Sequence, residues 1–309
     1  MFLPVGDNIN RRTIPIVPMA LVIANLFVFA YQTRILVTSA EGFEAEMKFF
    51  ETFGLIPAEL ENYQVMGILS YMFVHGGVSH LLGNMFVLWA FGGSLEFGLG
   101  KGTLLAMYMV WGIVAGLTHA IFSWGSEIPL IGASGAIAGM IGAYTVAYGP
   151  AARIRGLIFI GYTPIKCSIP AMVFGAGWFM LQLWSASIDP EGMEGTAWYC
   201  HIGGFVTGAV TMWIMRGSTQ GVLVQNNAGD LVMADRSEIE GEVEAEVVET
   251  FSRPITPEPC IRDLSLCPYC ESPLENAVQL AETLYRCPND ACSRLLYLDD
   301  APQAPVTWS

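Results

Sequence analysis

Apolar residues collect in six long uncharged runs within the first 215 residues of the chain. The runs lie at 13–33, 79–95, 102–126, 128–152, 167–188 and 195–215. Most of them reach the roughly 20 residues that an α-helix needs to cross about 30 Å of hydrocarbon. A large soluble core could account for one or two such runs, but hardly for six. The pattern therefore predicts an all-α membrane protein with six transmembrane helices in a lipid bilayer.

Charged residues make up 14% of the chain, against roughly a quarter in an ordinary soluble domain. The formal net charge is −14. Much of it lies between 217 and 259, where nine acidic residues accompany two basic ones. Such a stretch is typical of a solvated, self-repelling linker. Nothing in the sequence provides the basic face that nucleic-acid binding needs, so nucleic acid is not a predicted partner.

The shift in composition after the last apolar run divides the chain into parts. Residues 1–216 are predicted to form the membrane domain, and residues 217–259 an acidic linker. Residues 260–300 are predicted to form a compact cysteine-bearing module, followed by a disordered tail at 301–309.

Seven basic residues near the ends of the apolar runs fall on one predicted side of the membrane. They are Arg11, Arg12, Lys101, Arg153, Arg155, Lys166 and Arg216. Because basic loops stay in the cytoplasm, both termini are predicted to be cytoplasmic. We expect a multi-pass protein of the inner (cell) membrane of a bacterium. The first run also resembles a signal peptide, but it is long for one, and its removal would upset the charge asymmetry.

The candidate chemistry lies in the membrane half, which holds all four histidines. Ser134 opens the fourth apolar helix, which enters the bilayer from the outer side. His201 lies near the outer end of the sixth helix, and His80 and Asn84 lie near that of the second. Three helices thus bring these side chains to one depth, where ionisable groups are costly and usually face a cavity or a partner. A site assembled from separate helices requires such a shared depth.

Glycines at four-residue spacing predict that the fourth and sixth helices pack closely. Gly135 and Gly139 stand four apart on one helix, as do Gly204 and Gly208 on the other. Small residues at this spacing let two helix backbones approach closely enough for short side chains to meet.

A serine hydroxyl becomes an effective nucleophile when a base within about 2.6–3.2 Å takes its proton. His201 is the predicted base for Ser134. The apolar runs contain no carboxylate to orient the imidazole, and Glu96 lies 16 residues beyond His80, roughly 24 Å along a helix. The sequence therefore predicts a catalytic dyad rather than a triad, with no cofactor for catalysis.

The carbonyl under attack also needs donors for its developing negative charge. His80 and Asn84 share one helical face at i, i+4, and the backbone N–H of Ser134 lies at a helix N-terminus. These three groups are the predicted oxyanion hole. His75 is predicted to support the site through hydrogen bonding, and His119 is predicted to be structural.

Three motifs carry a resemblance to a known family. They are Phe73-Val74-His75-Gly76-Gly77-Val78-Ser79-His80-Leu81-Leu82-Gly83-Asn84, Gly132-Ala133-Ser134-Gly135 and His201-Ile202-Gly203-Gly204. With these motifs in this order, the chain resembles the rhomboid family of intramembrane serine proteases over about 200 residues. The GxSG motif alone is weak, because soluble hydrolases also use it, but the three motifs together are specific.

The resemblance implies a rhomboid fold of six helices around a short fourth one. It implies cleavage of single-span membrane proteins near the outer end of their helix, after a small residue. Ser134 and His201 would be the dyad, with His80 and Asn84 in the oxyanion hole.

The same motifs give His75 and Gly132 supporting places beside the site. Two positions depart from the family pattern. Cys200 stands where the family usually has alanine, and Ala138 stands where some members have an aromatic residue under the imidazole. These departures concern specificity rather than the class of reaction.

Two cysteine pairs mark the C-terminal module. They are Cys267 with Cys270, and Cys287 with Cys292. Paired cysteines at this spacing predict a tetrahedral structural zinc in a zinc-ribbon-like module, since about 40 residues are too few for a self-sufficient core. Two disulfides are the alternative, although the cytoplasm is reducing. The roles of zinc-ribbon modules range from binding a partner to stabilising the fold. A cytoplasmic protein partner is therefore one of the expectations for this module.

Three functional classes fit the membrane half. The first is the protease, which the intact Ser134 and His201 favour. The second is a catalytically silent rhomboid-like scaffold that binds membrane proteins. The third is a transporter or channel, whose spans normally carry charged or broken-helix ion sites.

Overall fold

The computed structural model describes residues 2–10, 14–62, 65–149, 151–160, 163–189, 196–215, 221–225, 231–235, 278–281, 284–286 and 295–297. The chain divides into two compact units, Met1–Thr219 and Gln220–Ser309. The described part of the first unit is mostly helical.

Eight α-helices follow one another in the described residues of the first unit. They are α1 (Ile16–Thr38), α2 (Phe43–Phe53), α3 (Gly67–Ser70), α4 (Val78–Leu99), α5 (Lys101–Phe122), α6 (Ser134–Tyr148), α7 (Ala171–Ile188) and α8 (Trp198–Met215). Short 3₁₀ turns at Pro57–Asn62 and Tyr71–Phe73 lie on either side of α3. Each predicted apolar run overlaps one of the six longest helices.

Four of the described helices, α1, α4, α5 and α7, are long and apolar enough to cross a membrane. The run at 128–152 does not form one long helix, because α6 begins only at Ser134 and has 15 residues. The segment before it is extended: Leu130 exchanges backbone hydrogen bonds of 2.9 and 3.0 Å with Leu55. Gly132, at φ 117°, then turns the chain into α6. This conformation favours glycine and interrupts a helix.

Helix α6 lies at the centre of the unit, in contact with α4, α5, α7 and α8. Twelve of its 15 residues are buried. The glycine spacing has the predicted effect, since a Cβ at Gly204 or Gly208 would overlap the carbonyl oxygen of Gly135 or Gly139, respectively. Helices α6 and α8 are therefore in backbone contact, as small-residue faces permit.

The expectation of an all-α membrane domain is wrong in one region. Strands β1 (Phe2–Asp7), β3 (Arg153–Ile160) and β4 (Thr163–Pro170) form a three-stranded antiparallel sheet in the order β1-β3-β4, and the short β2 (Ile9–Asn10) follows β1. The register pairs Leu3 with Leu157, and Arg155 with Ser168. β3 and β4 are rich in isoleucine, which packs well in strands, and a sequence pattern dominated by helices concealed them.

Two buried carboxylates hold the start of the chain against the helices. Glu96, near the end of α4, accepts hydrogen bonds from the backbone N–H groups of Ile16 (2.9 Å) and Val17 (2.6 Å). It thereby satisfies free donors in the first turn of α1. Asp7 accepts a hydrogen bond of 2.8 Å from the Tyr144 hydroxyl of α6. These contacts explain why α1 and β1 are fixed to the end of the bundle remote from Ser134.

The described residues of the second unit are strands. β5 (Gly221–Gln225) and β6 (Leu231–Asp235) pair antiparallel, so part of the predicted linker at 217–259 consists of paired strands. β7 (Val278–Ala281), β8 (Leu284–Arg286) and β9 (Leu295–Tyr297) form an antiparallel sheet within the predicted module at 260–300.

Candidate active site

The loop before α6 sets the position of Ser134, the first residue of that helix. Gly132 donates its backbone N–H to the carbonyl of Tyr71 at 2.8 Å. A Cβ at Gly132 would stand 2.8 Å from ring atoms of His80. Glycine is therefore required here both by the positive φ and by the imidazole beside it. The result is a serine presented at a helix N-terminus, next to side chains of α4.

Ser134 and His201 come together across the contact between α6 and α8. The distance from Ser134 Oγ to His201 Nε2 is 2.9 Å, within the range over which a base can take a hydroxyl proton. Both side chains are partly exposed, so the pair can reach a substrate and water. The arrangement can perform nucleophilic attack with general-base assistance.

The other ring nitrogen of His201, Nδ1, contacts Gln182. The sequence analysis did not identify Gln182 as a site residue. The distance from His201 Nδ1 to Gln182 Oε1 is 2.8 Å, and the amide lies on α7 in a buried position. Trp178, one turn earlier, approaches the imidazole with a centroid separation of 5.7 Å. The sequence feature that could have indicated Gln182 is a single amide in an otherwise apolar run, four residues after a tryptophan. Trp178 supplies an aromatic neighbour that Ala138 cannot.

His80 and Asn84, the side chains predicted for the oxyanion hole, both lie next to Gly132 in the loop that precedes Ser134. A Cβ at Gly132 would be 3.7 Å from Asn84 Nδ2 and 2.8 Å from His80 Nε2. Asn84 is 8% exposed, and its Nδ2 has no hydrogen-bond partner within the residues that the structure describes. An unpaired buried amide donor is costly. This donor is available to an anion that forms beside Ser134.

His75 is fully buried and contacts the loop that precedes Ser134. Its Nε2 accepts a long hydrogen bond (3.5 Å) from the backbone N–H of Ala133, and its carbonyl accepts one of 2.7 Å from Gln32. Burial, followed by the nearby charge of His80, lowers the pKa of His75 to about 4. The imidazole is therefore neutral near pH 7 and can accept from Ala133, which is a contact to the backbone rather than to the reacting groups.

The remaining candidates lie around this centre. Cys200 is buried, with its Sγ 3.8 Å from the hydroxyl of Tyr71. Ala138 is fully buried and lies close to Gly204. His119 lies in the last turn of α5, and its Nδ1 has no partner in the described part of the chain.

The predicted zinc ligands Cys267, Cys270, Cys287 and Cys292 lie outside the described residues. Among the residues that are described, no group of three or more histidine, cysteine or acidic side chains could hold a metal ion.

A known protein family matches the part of the chain that holds the candidate site. Residues 62–218 match the model of the Rhomboid domain family. That segment begins just before the short helices that precede α4 and extends past the end of α8, so it contains every side chain of the site. A 76-residue stretch, 25% of the chain, is 37% identical to the Rhomboid protease GluP of Bacillus subtilis (strain 168). The match spans only 14% of the length of that relative.

Proposed function

The chain belongs to the rhomboid family, and on that premise we propose that it is an intramembrane serine endopeptidase. It cleaves transmembrane segments of single-span membrane proteins near their outer end. The observation that carries the proposal is the 2.9 Å contact between Ser134 Oγ and His201 Nε2. The protein called Rhomboid protease GluP adds support through its similarity over 76 residues.

The reaction begins when Ser134 Oγ attacks the scissile carbonyl carbon while His201 Nε2 takes the hydroxyl proton. The tetrahedral oxyanion is met by the Asn84 amide, by His80 and by the backbone N–H of Ser134. His201 then gives its proton to the leaving amine, and the peptide C–N bond breaks. Water hydrolyses the acyl-enzyme by the same sequence of proton transfers.

The short central helix supports a site below the outer membrane surface. Fifteen residues of α6 extend about 22 Å at 1.5 Å per residue, less than the roughly 30 Å of the hydrocarbon core. With its C-terminal end at the inner surface, its first residue, Ser134, is recessed from the outer one. The full arrangement that we propose has six spans, formed by α1, α4, α5, α6, α7 and α8, and both termini in the cytoplasm of a bacterium.

The experiment uses the purified full chain in detergent, a fluorophosphonate probe and a single-span test substrate. The native protein should be labelled and should release one cleavage product. Ser134→Ala should abolish both signals, and His201→Ala should lower them by at least about 1,000-fold, as loss of half of a nucleophile–base unit does. Ser187→Ala, which removes an exposed hydroxyl of α7, is the matched control and should retain full activity.

Either dyad variant that keeps more than about a tenth of native turnover would contradict the mechanism. Absence of both labelling and cleavage in the native protein would favour the catalytically silent scaffold instead.

For the second unit, we propose a structural zinc bound by Cys267, Cys270, Cys287 and Cys292. Support comes from the strand positions in the sequence, because Cys287 directly follows β8 and Cys292 lies three residues before the start of β9. Two pairs of closely spaced cysteines are typical of the four-thiolate structural zinc sites that zinc ribbons contain. A cytoplasmic protein partner is a further proposal for this unit.

A further inference from the structure

The amide of Gln182 fills the place beside His201 that a carboxylate would occupy in a triad. Its Oε1 lies 2.8 Å from His201 Nδ1, while its Nε2 lies 3.5 Å from the carbonyl oxygen of Trp178. Gln182 is 4% exposed and is the only amide or charged side chain in α7. A buried side-chain amide is costly unless its polar atoms are paired. Here the amide oxygen pairs with His201 and the NH₂ group pairs with the Trp178 carbonyl.

The two contacts together fix the orientation of the amide. The Trp178 carbonyl is only an acceptor, so the NH₂ group of Gln182 must face it. Oε1 then faces His201, and an amide oxygen can only accept. The hydrogen between them therefore belongs to the imidazole, which makes Nδ1 the protonated nitrogen.

We propose that Gln182 is a positioning residue that holds His201 in the Nδ1–H tautomer. This role rests on the proposed function, because it has a catalytic consequence only if His201 is the base for Ser134. With a hydrogen on Nδ1, the lone pair of the neutral ring is on Nε2, the atom 2.9 Å from Ser134 Oγ. In the other tautomer Nε2 carries a hydrogen and cannot take the serine proton.

The proton balance of the step is simple. The Ser134 Oγ–H bond breaks, the proton moves to His201 Nε2, and Oγ forms its bond with the carbonyl carbon. The resulting imidazolium keeps its Nδ1–H hydrogen bond to Gln182, and Gln182 itself neither gains nor loses a proton. The acceptor is neutral, so the site needs no buried carboxylate in the bilayer, where an ionised group is expensive.

The test measures the ring and the reaction separately. Full-length protein carrying ¹⁵N-labelled histidine is studied by NMR, and the His201 signals are assigned by their loss in His201→Ala. The native protein should show a protonated Nδ1 and a pyridine-like Nε2. Gln182→Met, which keeps a similar length but offers no amide oxygen, should lose this single tautomer and give an averaged signal.

In the cleavage assay, Gln182→Met should lower kcat by about 10- to 100-fold, with KM changed by less than about threefold. This loss of kcat is smaller than the roughly 10,000-fold loss that a wrong tautomer causes in a Ser-His-Asp triad. Gln182→Glu restores an acceptor oxygen and should recover the Nδ1–H tautomer and most of the lost kcat. Ser187→Ala on the same helix should change neither readout.

The outcomes separate the two proposals. A native enzyme that cleaves substrate, together with a Gln182→Met variant of unchanged tautomer or native kcat, would overturn the positioning role and leave the proposed function standing. A native protein without activity would overturn the proposed function, and with it the catalytic role, even where the tautomer signal shows that Gln182 holds the ring. If Gln182→Met does not fold, Gln182→Asn withdraws the oxygen by one methylene and should lose the single tautomer.

Discussion

Gly204 of α8 lies directly against the backbone carbonyl of Gly135, the residue that follows Ser134. A Cβ at Gly204 would overlap that carbonyl oxygen and also meet the side chain of Ala138 at 3.2 Å. Since Gly204 follows His201 by three residues, the same contact holds the side chains of Ser134 and His201 at their short distance. The packing of α6 against α8 therefore also fixes the geometry of the proposed dyad.

Gly204→Ala should therefore lower turnover by at least about 100-fold, because an error of about 1 Å in a reacting pair costs that much. The added methyl group meets backbone, which cannot rotate away. Gly177→Ala is the matched control, since nothing lies within 4 Å of a Cβ at that position. Labelling and cleavage assays of the two variants in the same detergent make the measurement. Equal activity in both would show that the helices can separate without harm.

Asn84→Ala should lower kcat by about 10- to 1,000-fold and leave KM nearly unchanged, because the donor acts on charge that develops in the transition state. Steady-state kinetics on the single-span substrate separate the two constants. Because Nδ2 has no partner among the described residues, its removal breaks no hydrogen bond that this group donates there, and we expect little change in thermal stability. A change confined to KM would make Asn84 a substrate-docking residue.

Glu96→Gln should destabilise the membrane domain by about 1–3 kcal/mol, since it weakens two charge-assisted hydrogen bonds to the start of α1. Thermal unfolding in detergent should show the loss as a lower Tm. Glu51→Gln removes the same charge from an exposed position and should leave the Tm unchanged. If both variants melt like the native protein, the buried contact with Ile16 and Val17 contributes little.

Metal analysis of the full chain should find one zinc per molecule, bound through four thiolates at about 2.3 Å. Cys287→Ser should release it and expose the C-terminal tail to added protease, because a unit this small folds only with its metal. Cys167→Ser, in β4, should keep the zinc. Chelation should leave fluorophosphonate labelling intact. Two disulfides, or no zinc in the native chain, would exclude this site.

Local spacing predicted those parts of the structure that depend on local rules. Glycines four residues apart on two helices indicated a backbone contact, and the shared outer depth of Ser134 and His201 indicated their meeting. Both follow from helix periodicity and from the length of a span. The family resemblance rests on the same short motifs.

The parts that the sequence did not reveal depend on tertiary partners far away in the chain. Gln182 belongs to no motif, and its contact with His201 requires α7 to lie beside α8 in one rotation. The β1-β3-β4 sheet joins the first residues to a hairpin about 150 residues later. Sequence periodicity cannot show such a pairing, because each strand alone is short and resembles the end of an apolar helix.

That sheet has a consequence for the order in which the protein is assembled. A ribosome that has released Phe2–Asp7 must still synthesise four long helices, α1, α4, α5 and α6, before both Tyr144 and β3 exist. During that time β1 has an unpaired edge, and Asp7 lacks the hydroxyl that it later binds. Contacts between distant segments form late because closing a long loop is costly in entropy. The end of the bundle that holds Asp7 should thus close only after α6 has been inserted, and truncated chains that end before β3 should expose their first residues to protease.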